Sequence, residues 1–556
     1  MVRNPGVKAI GLSSMLVCGL ATAQPSPPDV VLVHGKVFTS DPSHLHAEAL
    51  AIRGDRIIAV GSSEEIGALA GPATRRIDLS GHTVIPGIND AHAHLDFVPS
   101  DVVTLAFKSG NPTWADVRAA VAAATRGAAE GTILLGEIGP AIFYGSEATR
   151  VSLDRLAPHH PVILIMLTGH AAILNSAALT RVGIREDQPD PVGGRYERTA
   201  HGRLSGTLRE YAVLHLSRAL AALTSDADAV AQLRDTLTQA AQLGITSVQD
   251  LSDAVAPERI VALLEKAQTP VRVRVIRMPD TTPAGRDTEE GLSVPRAPAP
   301  RITVSGTKWL TDGTPLEQSF APRKPPVSGH SGAILFENLG LLFPRSELEA
   351  MLGETLKSGD QLVVHVSGYP AASAMLEAMQ ASGGPQVWST RRLRFEHGDG
   401  LFADLLPRAK SLGVVVVQNP IHFDVRLLDP KHYTLKSFSR SQPLASLLAA
   451  GIPLAFGSDA PMNPYRDILL ATTHPNRPSE ALTREQAVIA STLTGAYAEF
   501  AETEKGSLAP GKLADVAVLS QDIFTVAEAE LPKTTSLLTL VGGKVVYDNL
   551  TPATTR

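Results

Sequence analysis

The strongest constraint on the fold is a rhythm in the chain: short apolar runs suited to strands alternate with stretches of helical periodicity over about 400 residues. Strand candidates fall at residues 162–166, 245–248, 271–276, 302–308, 362–365, 393–396, 414–418 and 454–457, with helical stretches such as 226–243, 345–358 and 371–381 between several of them. Parallel strands need long crossovers, and helices are the usual ones, so the alternation predicts an α/β fold built on a distorted (β/α)8 TIM-like barrel. Both chain ends have a different texture. Strands at 30–33 and 36–39 flank a His34-Gly35 turn, a hairpin at 51–60 turns at Gly54-Asp55, and similar short strands return at 514–519, 538–541 and 544–547. Neither end is long enough to bury a core alone, so the two are expected to pair into one small β-sandwich. The predicted organisation is therefore a sandwich from 24–86 and 503–556 around a barrel at 87–502, with an insertion around 109–218.

Composition narrows the class. In 556 residues, 44% are hydrophobic and 19% charged, the profile of a folded soluble enzyme, and a net charge of -6 without basic runs argues against nucleic acid or an anionic membrane as a partner. The N-terminus reads as a signal peptide over 1–23: Arg3 and Lys8 precede an apolar stretch too short to span a bilayer, and Ala21-Thr22-Ala23 supplies the small residues for cleavage before Gln24. Val17 is bulkier than a lipoprotein signal allows before Cys18. A periplasmic or secreted protein is expected, with no membrane attachment after cleavage. Cys18 is the single cysteine, so the mature chain has no thiolate, and any metal must be held by nitrogen and oxygen.

Several strand candidates end in residues that can carry metal chemistry. The stretch from Val84 through Pro86-Gly87 leads to His92-Ala93-His94, and a strand continuing to His94 puts both imidazoles on one face. Lys308, His365, His397 and Asp459 each follow an apolar strand, where barrels place their chemistry. One such residue is unremarkable packing; six in strand-end positions point to a metal centre.

The order His-x-His, Lys, His, His, Asp resembles the metal-dependent amidohydrolase superfamily. The detail is similar to its YtcJ-like (amidohydrolase 3) branch, which includes N-substituted formamide deformylases. Further segments carry the resemblance: Gly169-His170 with Asn175-Ser176, 202–210, 244–250, 308–313, Glu396-His397, Gly457-Ser458-Asp459 and 506–515. The resemblance implies that His92, His94 and Asp459 bind a buried metal, and that His365 and His397 hold a second. It also implies a carboxylated Lys308 bridging two metals, with Zn2+ as the default. A carbamate makes sense at such a lysine, because an ammonium has no lone pair and repels a cation.

The implied reaction is hydrolysis of a non-peptide C–N bond, in an amide or N-substituted formamide, by a metal-activated hydroxide, with Asp459 as base and then acid. A deaminase, an ester or lactone hydrolase, and a catalytically silent binding protein on the same scaffold are the alternatives. His170, Asp312, Tyr369 and His422 are candidate substrate contacts, and Phe423 a candidate apolar wall. The substrate is expected to be a small molecule, and a homo-oligomer is compatible with the chain. One departure stands out. The branch follows its fifth-strand histidine with Ile-Gly-Asp, whereas this chain has Val366-Ser367-Gly368-Tyr369, so an acidic residue is missing beside the metals. Asp399, in Gly398-Asp399-Gly400, is read as a turn residue.

Overall fold

A computed structural model describes residues 26–317, 320, 336–424 and 439–550. The segment read as a signal peptide, with Cys18 and the cleavage position, lies outside the described residues.

Eight parallel strands form the central sheet: β1 (Ile88–Ala93), β2 (Ile245–Ser252), β3 (Arg272–Arg277), β4 (Ile302–Leu310), β5 (Leu362–Val366), β6 (Arg394–His397), β7 (Val415–Gln418) and β8 (Leu454–Phe456), each paired with the next in chain order. The sheet nearly closes, because the Asp459 N–H beyond β8 donates to the His92 carbonyl at 2.8 Å and Ala93 pairs with Asp459 in a parallel bridge. Strands buried on both faces need no alternation, and β5 (LVVHV) and β7 (VVVQ) show none. The helices do. In Asp226–Gln242, Ser225 caps the first turn through the Asp228 N–H at 3.1 Å, and Leu233, Leu237, Ala240 and Ala241 form the buried stripe.

The barrel interior is not filled with branched aliphatics alone. Gln249, Arg274, Gln361, Arg394 and Glu396 are all buried. They satisfy one another: Arg274 and Arg394 both donate to Gln249 Oε1, at 3.2 and 2.6 Å, and Arg274 also to Gln361 Oε1 at 2.9 Å. Buried charge of this kind persists only when its hydrogen bonds are complete.

Strands from both chain ends share a six-stranded sheet. In spatial order it runs Lys544–Asp548, Ser536–Val541, Val516–Leu519, Thr83–Pro86, Lys36–Phe38 and His46–Ala47. A four-stranded sheet of Arg56–Gly61, Ala49–Arg53, Val30–Val33 and Arg75–Asp78 lies beside it, and side chains of both sheets, including Leu32, Ile52, Val84, Val516 and Leu538, form one apolar cluster. The chain passes from Thr83–Pro86 into β1 through Gly87, where a Cβ would collide with the Thr246 side chain on β2.

The strand expected at 162–166 exists, but it is not a barrel strand. Val162–Met166 pairs in parallel with Leu134–Ile138 and antiparallel with Ala171–Leu174, inside a separate six-stranded sheet that spans Val103–Leu105 to Leu204–Glu210. A tight turn through Gly169, at φ 74°, returns the chain to its antiparallel neighbour and leaves no room for a crossover helix. The eighth barrel strand is instead the one carrying His92.

Candidate metal centre

Six imidazoles gather at the C-terminal mouth of the barrel. Ring centroids lie 5.5 Å apart for His92 and His94, 5.0 Å for His92 and His397, 4.4 Å for His365 and His397, 4.8 Å for His170 and His365, and 5.3 Å for His397 and His422. His92, His365 and His397 are almost fully buried, as is Lys308.

The donor atoms converge in two groups. Asp459 Oδ1 lies 3.6 Å from His92 Nε2 and 3.4 Å from His94 Nε2, while its Oδ2 faces His422 Nε2 at 3.4 Å. On the other side, His365 Nδ1 and His397 Nε2 approach to 3.0 Å. Donors of His92, His397 and Asp459 all fall within 4.8 Å of one another, a spacing that a single cation can span. Lys308, on β4, lies in register with Val363, two places before the Leu310–His365 pair. Among the described residues its amine donates no hydrogen bond.

The electrostatics favour ligation by His92, His365 and His397. Burial, with Lys308 adding to it, brings His92 down to about 4 against the pull of Asp459 and Glu396. Burial likewise holds His365 and His397 well below the usual imidazole range, so these rings are neutral and carry lone pairs at neutral pH. His94 goes the other way: burial opposes its charge, but Asp253 and Asp459 raise it well above the ordinary value. Burial would lift Asp459, yet His92, His422 and His94 together hold it well below the carboxylate range. Burial brings Lys308 down to about 8 despite Glu396 and Asp459.

Local backbone explains how adjacent side chains reach one centre. On β6 the period of two turns Arg394 and Glu396 to the same side and would send His397 to the other. His397 instead takes φ 68°, and Asp459 takes φ 56°, left-handed conformations in which the chain swings these groups toward the mouth. Gly457 allows the last step, since a Cβ there would collide with the backbone and Cβ of His92.

The candidate substrate contacts divide. His170 comes from the inserted sheet, beside His365, and its Nδ1 lies 2.6 Å from Glu210 Oε2. His422 sits on the short turn Pro420–Phe423, about 40% exposed, against Asp459. Asp312 is fully buried, and its oxygens accept from the Ser367 and Gly368 N–H groups at 3.1 and 2.6 Å. It ties down the loop of Ser367 and Gly368 that follows β5. Tyr369 stacks on Phe402 and donates to Asp404 at 2.9 Å, so its contacts lie away from the histidines. Phe423 is buried against His474, and Asp399 is buried near Gln418.

Sequence reasoning gave no role to several carboxylates that hold the candidate ligands. His92 Nδ1 meets Glu396 Oε2 at 2.7 Å, and His94 Nδ1 meets Asp253 Oδ1 at 3.0 Å. Asp90 accepts from Ser458 N–H at 2.9 Å and from its hydroxyl at 2.5 Å, fastening β1 to the segment that delivers Asp459. The available signal was charge on a barrel strand: Arg394 and Glu396 alternate in a run that is otherwise core.

The profile of the amidohydrolase family matches residues 75–547. The chain belongs to the amidohydrolase family. The N-substituted formamide deformylase of Arthrobacter pascens is 28% identical over 559 residues, covering 94% of this chain and 98% of that enzyme. The putative amidohydrolase YtcJ of Bacillus subtilis (strain 168) is 25% identical, covering 92% and 98%. In structure, an uncharacterized metal-dependent hydrolase from Pyrococcus horikoshii OT3 matches with a TM-score of 0.66 at 19% identity, over 90% of this chain and 99% of that one, a likeness of fold. This amidohydrolase is a metal-dependent hydrolase, and the two neutral imidazoles of His92 and His397 with the ionised carboxylate of Asp459 fit a divalent cation.

Proposed function

We propose that this amidohydrolase is an exported enzyme that hydrolyses a non-peptide C–N bond in a small molecule, an amide or N-substituted formamide. The carrying observation is the convergence of His92 Nε2 and His94 Nε2 on one oxygen of Asp459 while His365 Nδ1 and His397 Nε2 face each other beside it. Two Zn2+ ions would be held by these groups, with a carboxylated Lys308 as a further ligand. Carbamate formation needs a neutral amine, and a buried lysine brought down to about 8 and lacking a hydrogen-bond partner among the described residues meets that need. When bound, the cations supply Lewis acidity and lower the pKa of water.

The chain's own groups do the rest. Asp459 Oδ2, the oxygen turned from the ligand histidines toward His422, takes the proton of the attacking water and passes it to the leaving nitrogen. His422, partly exposed, lines the mouth, and His170 reaches the opposite side from the inserted sheet to bind the substrate. The similarity to an N-substituted formamide deformylase supports this substrate class. Metal analysis of the purified protein, with a panel of amides, formamides and esters and a His92→Ala control, tests the reading. Stoichiometric zinc and turnover of the formamide or amide, both lost in the control, are expected; a metal-free, inactive protein under metal-replete conditions overturns it.

A further inference from the structure

One part of the barrel interior is left without a role by the ligand set: the buried pair Arg394–Glu396, which leads to His92. All three side chains are at most 1% exposed. Arg394 grips Glu396 with two hydrogen bonds, Nε to Oε1 and Nη2 to Oε2, both 2.9 Å. Its remaining contacts reach across the barrel: Nη2 donates to the Ala91 carbonyl on β1 at 2.7 Å, and Nη1 to Gln249 Oε1 on β2 at 2.6 Å. β6 and β1 are not neighbours in the sheet, so this guanidinium is a direct tie between the strand that carries Glu396 and the peptide unit preceding His92.

The geometry fixes proton positions. A guanidinium has donors only, so both Glu396 oxygens act as acceptors. The atom 2.7 Å from Glu396 Oε2 is His92 Nδ1, which must then be the N–H of that ring. In the neutral ring Nε2 then carries the lone pair, on the side of Asp459. A histidine without such a partner exchanges between two tautomers and can rotate about its side-chain bonds, and only one arrangement presents a lone pair to the centre.

We infer that Glu396, clamped by Arg394, is the positioning residue for His92: it holds the imidazole as its Nδ1–H tautomer and aims Nε2 at the metal centre. The inference rests on the proposed metal site and assigns the residue that sets one of its ligands before any cation arrives. It also explains why a charged pair occupies barrel-core positions that leucine or valine would fill at lower desolvation cost.

Glu396→Gln retains an acceptor at the same reach but loses the charge that engages Arg394, and Glu396→Ala removes both. Zinc affinity, measured by chelator competition on the full chain, is expected to fall about 10-fold to 100-fold in Glu396→Ala and less in Glu396→Gln. Because a buried substitution can prevent folding, the second measurement uses wild-type protein with 15N-labelled histidine. The His92 signals, assigned by their loss in His92→Ala, are expected to show a protonated Nδ1 and an unprotonated Nε2 both before and after zinc. A merely structural Glu396 would lower the melting temperature and leave zinc affinity unchanged. That result, or a mixed or Nε2–H tautomer in the zinc-free wild type, overturns the inference while the metal-site reading stands. Wild-type protein that binds no zinc overturns the metal-site reading, and the tautomer measurement still decides what Glu396 does.

Discussion

At the scale of single residues, the proposed role of Asp459 separates ligation from proton transfer. Asp459→Asn keeps an oxygen for the cation and removes the ability to take a proton, so it is expected to retain metal and to lose about 10²–10⁴-fold in kcat. Metal content and kcat measured on the same preparation check this; an Asn variant with full turnover removes Asp459 from the proton path. Away from the centre, Glu480 shows how one carboxylate can govern stability. It accepts from Leu444 N–H at 3.0 Å, Ser446 N–H at 2.8 Å and Ser446 Oγ at 2.6 Å, and pairs with Arg477 at 3.0 Å. Burial pushes its pKa up, but the Ser446 donors and Arg477 outweigh that and leave it below the usual glutamate value. A carboxylate depressed by folding stabilises fully above its unfolded pKa, and that stabilisation is lost as the pH falls through the folded one. Glu480→Gln should therefore cost about 1.5–3 kcal/mol at pH 7, with the gap to wild type closing below about pH 4. Urea denaturation at a series of pH values gives both numbers.

At the scale of elements, what delivers the ligands is as specific as the ligands themselves. Gly457→Ala adds one methyl group against His92, so about a 10-fold or larger loss of zinc affinity is expected with the circular dichroism spectrum unchanged. Intact affinity would mean that the end of β8 can move without disturbing β1. This scale also shows what was legible in the chain. Strands β2 to β8 were readable as apolar runs, four of which lead to Lys308, His365, His397 and Asp459, while His92 and His94 come from β1 and the residue after it. The run at 162–166 looked the same and belongs elsewhere, because a buried strand carries no mark of the sheet it joins; that is set by partners far along the chain. Glu396 and Asp253 were visible as letters, but their contacts with His92 and His94 depend on which strands face each other across a closed barrel.

At the scale of the whole molecule, the barrel is held from outside by the sheet that joins both chain ends. Asp515 accepts from Arg272 on β3 through both oxygens, at 2.8 and 3.1 Å, and from the Gly542 N–H at 2.7 Å, while its carbonyl accepts from Gly87 N–H at 2.9 Å as the chain enters β1. Asp515→Ala strands a partly buried guanidinium, so a loss of about 3 kcal/mol is expected, seen by calorimetry as a lower or split unfolding transition. An unchanged single transition would show that apolar packing alone fixes the two parts.

The left-handed backbone at Asp459 carries one more consequence, for tolerance to change. Asparagine and glycine adopt φ near 56° with little strain, whereas a β-branched side chain there clashes with its own peptide groups. Substitutions at Asp459 should therefore sort first by shape and only then by charge: Asn and Gly variants stay folded, while Asp459→Val loses about 1–3 kcal/mol. Thermal melts of the three zinc-free variants would display that order. Random change at this position is thus steered toward the few residues that fit the bend, and among those the carboxylate is the one that can also carry a proton.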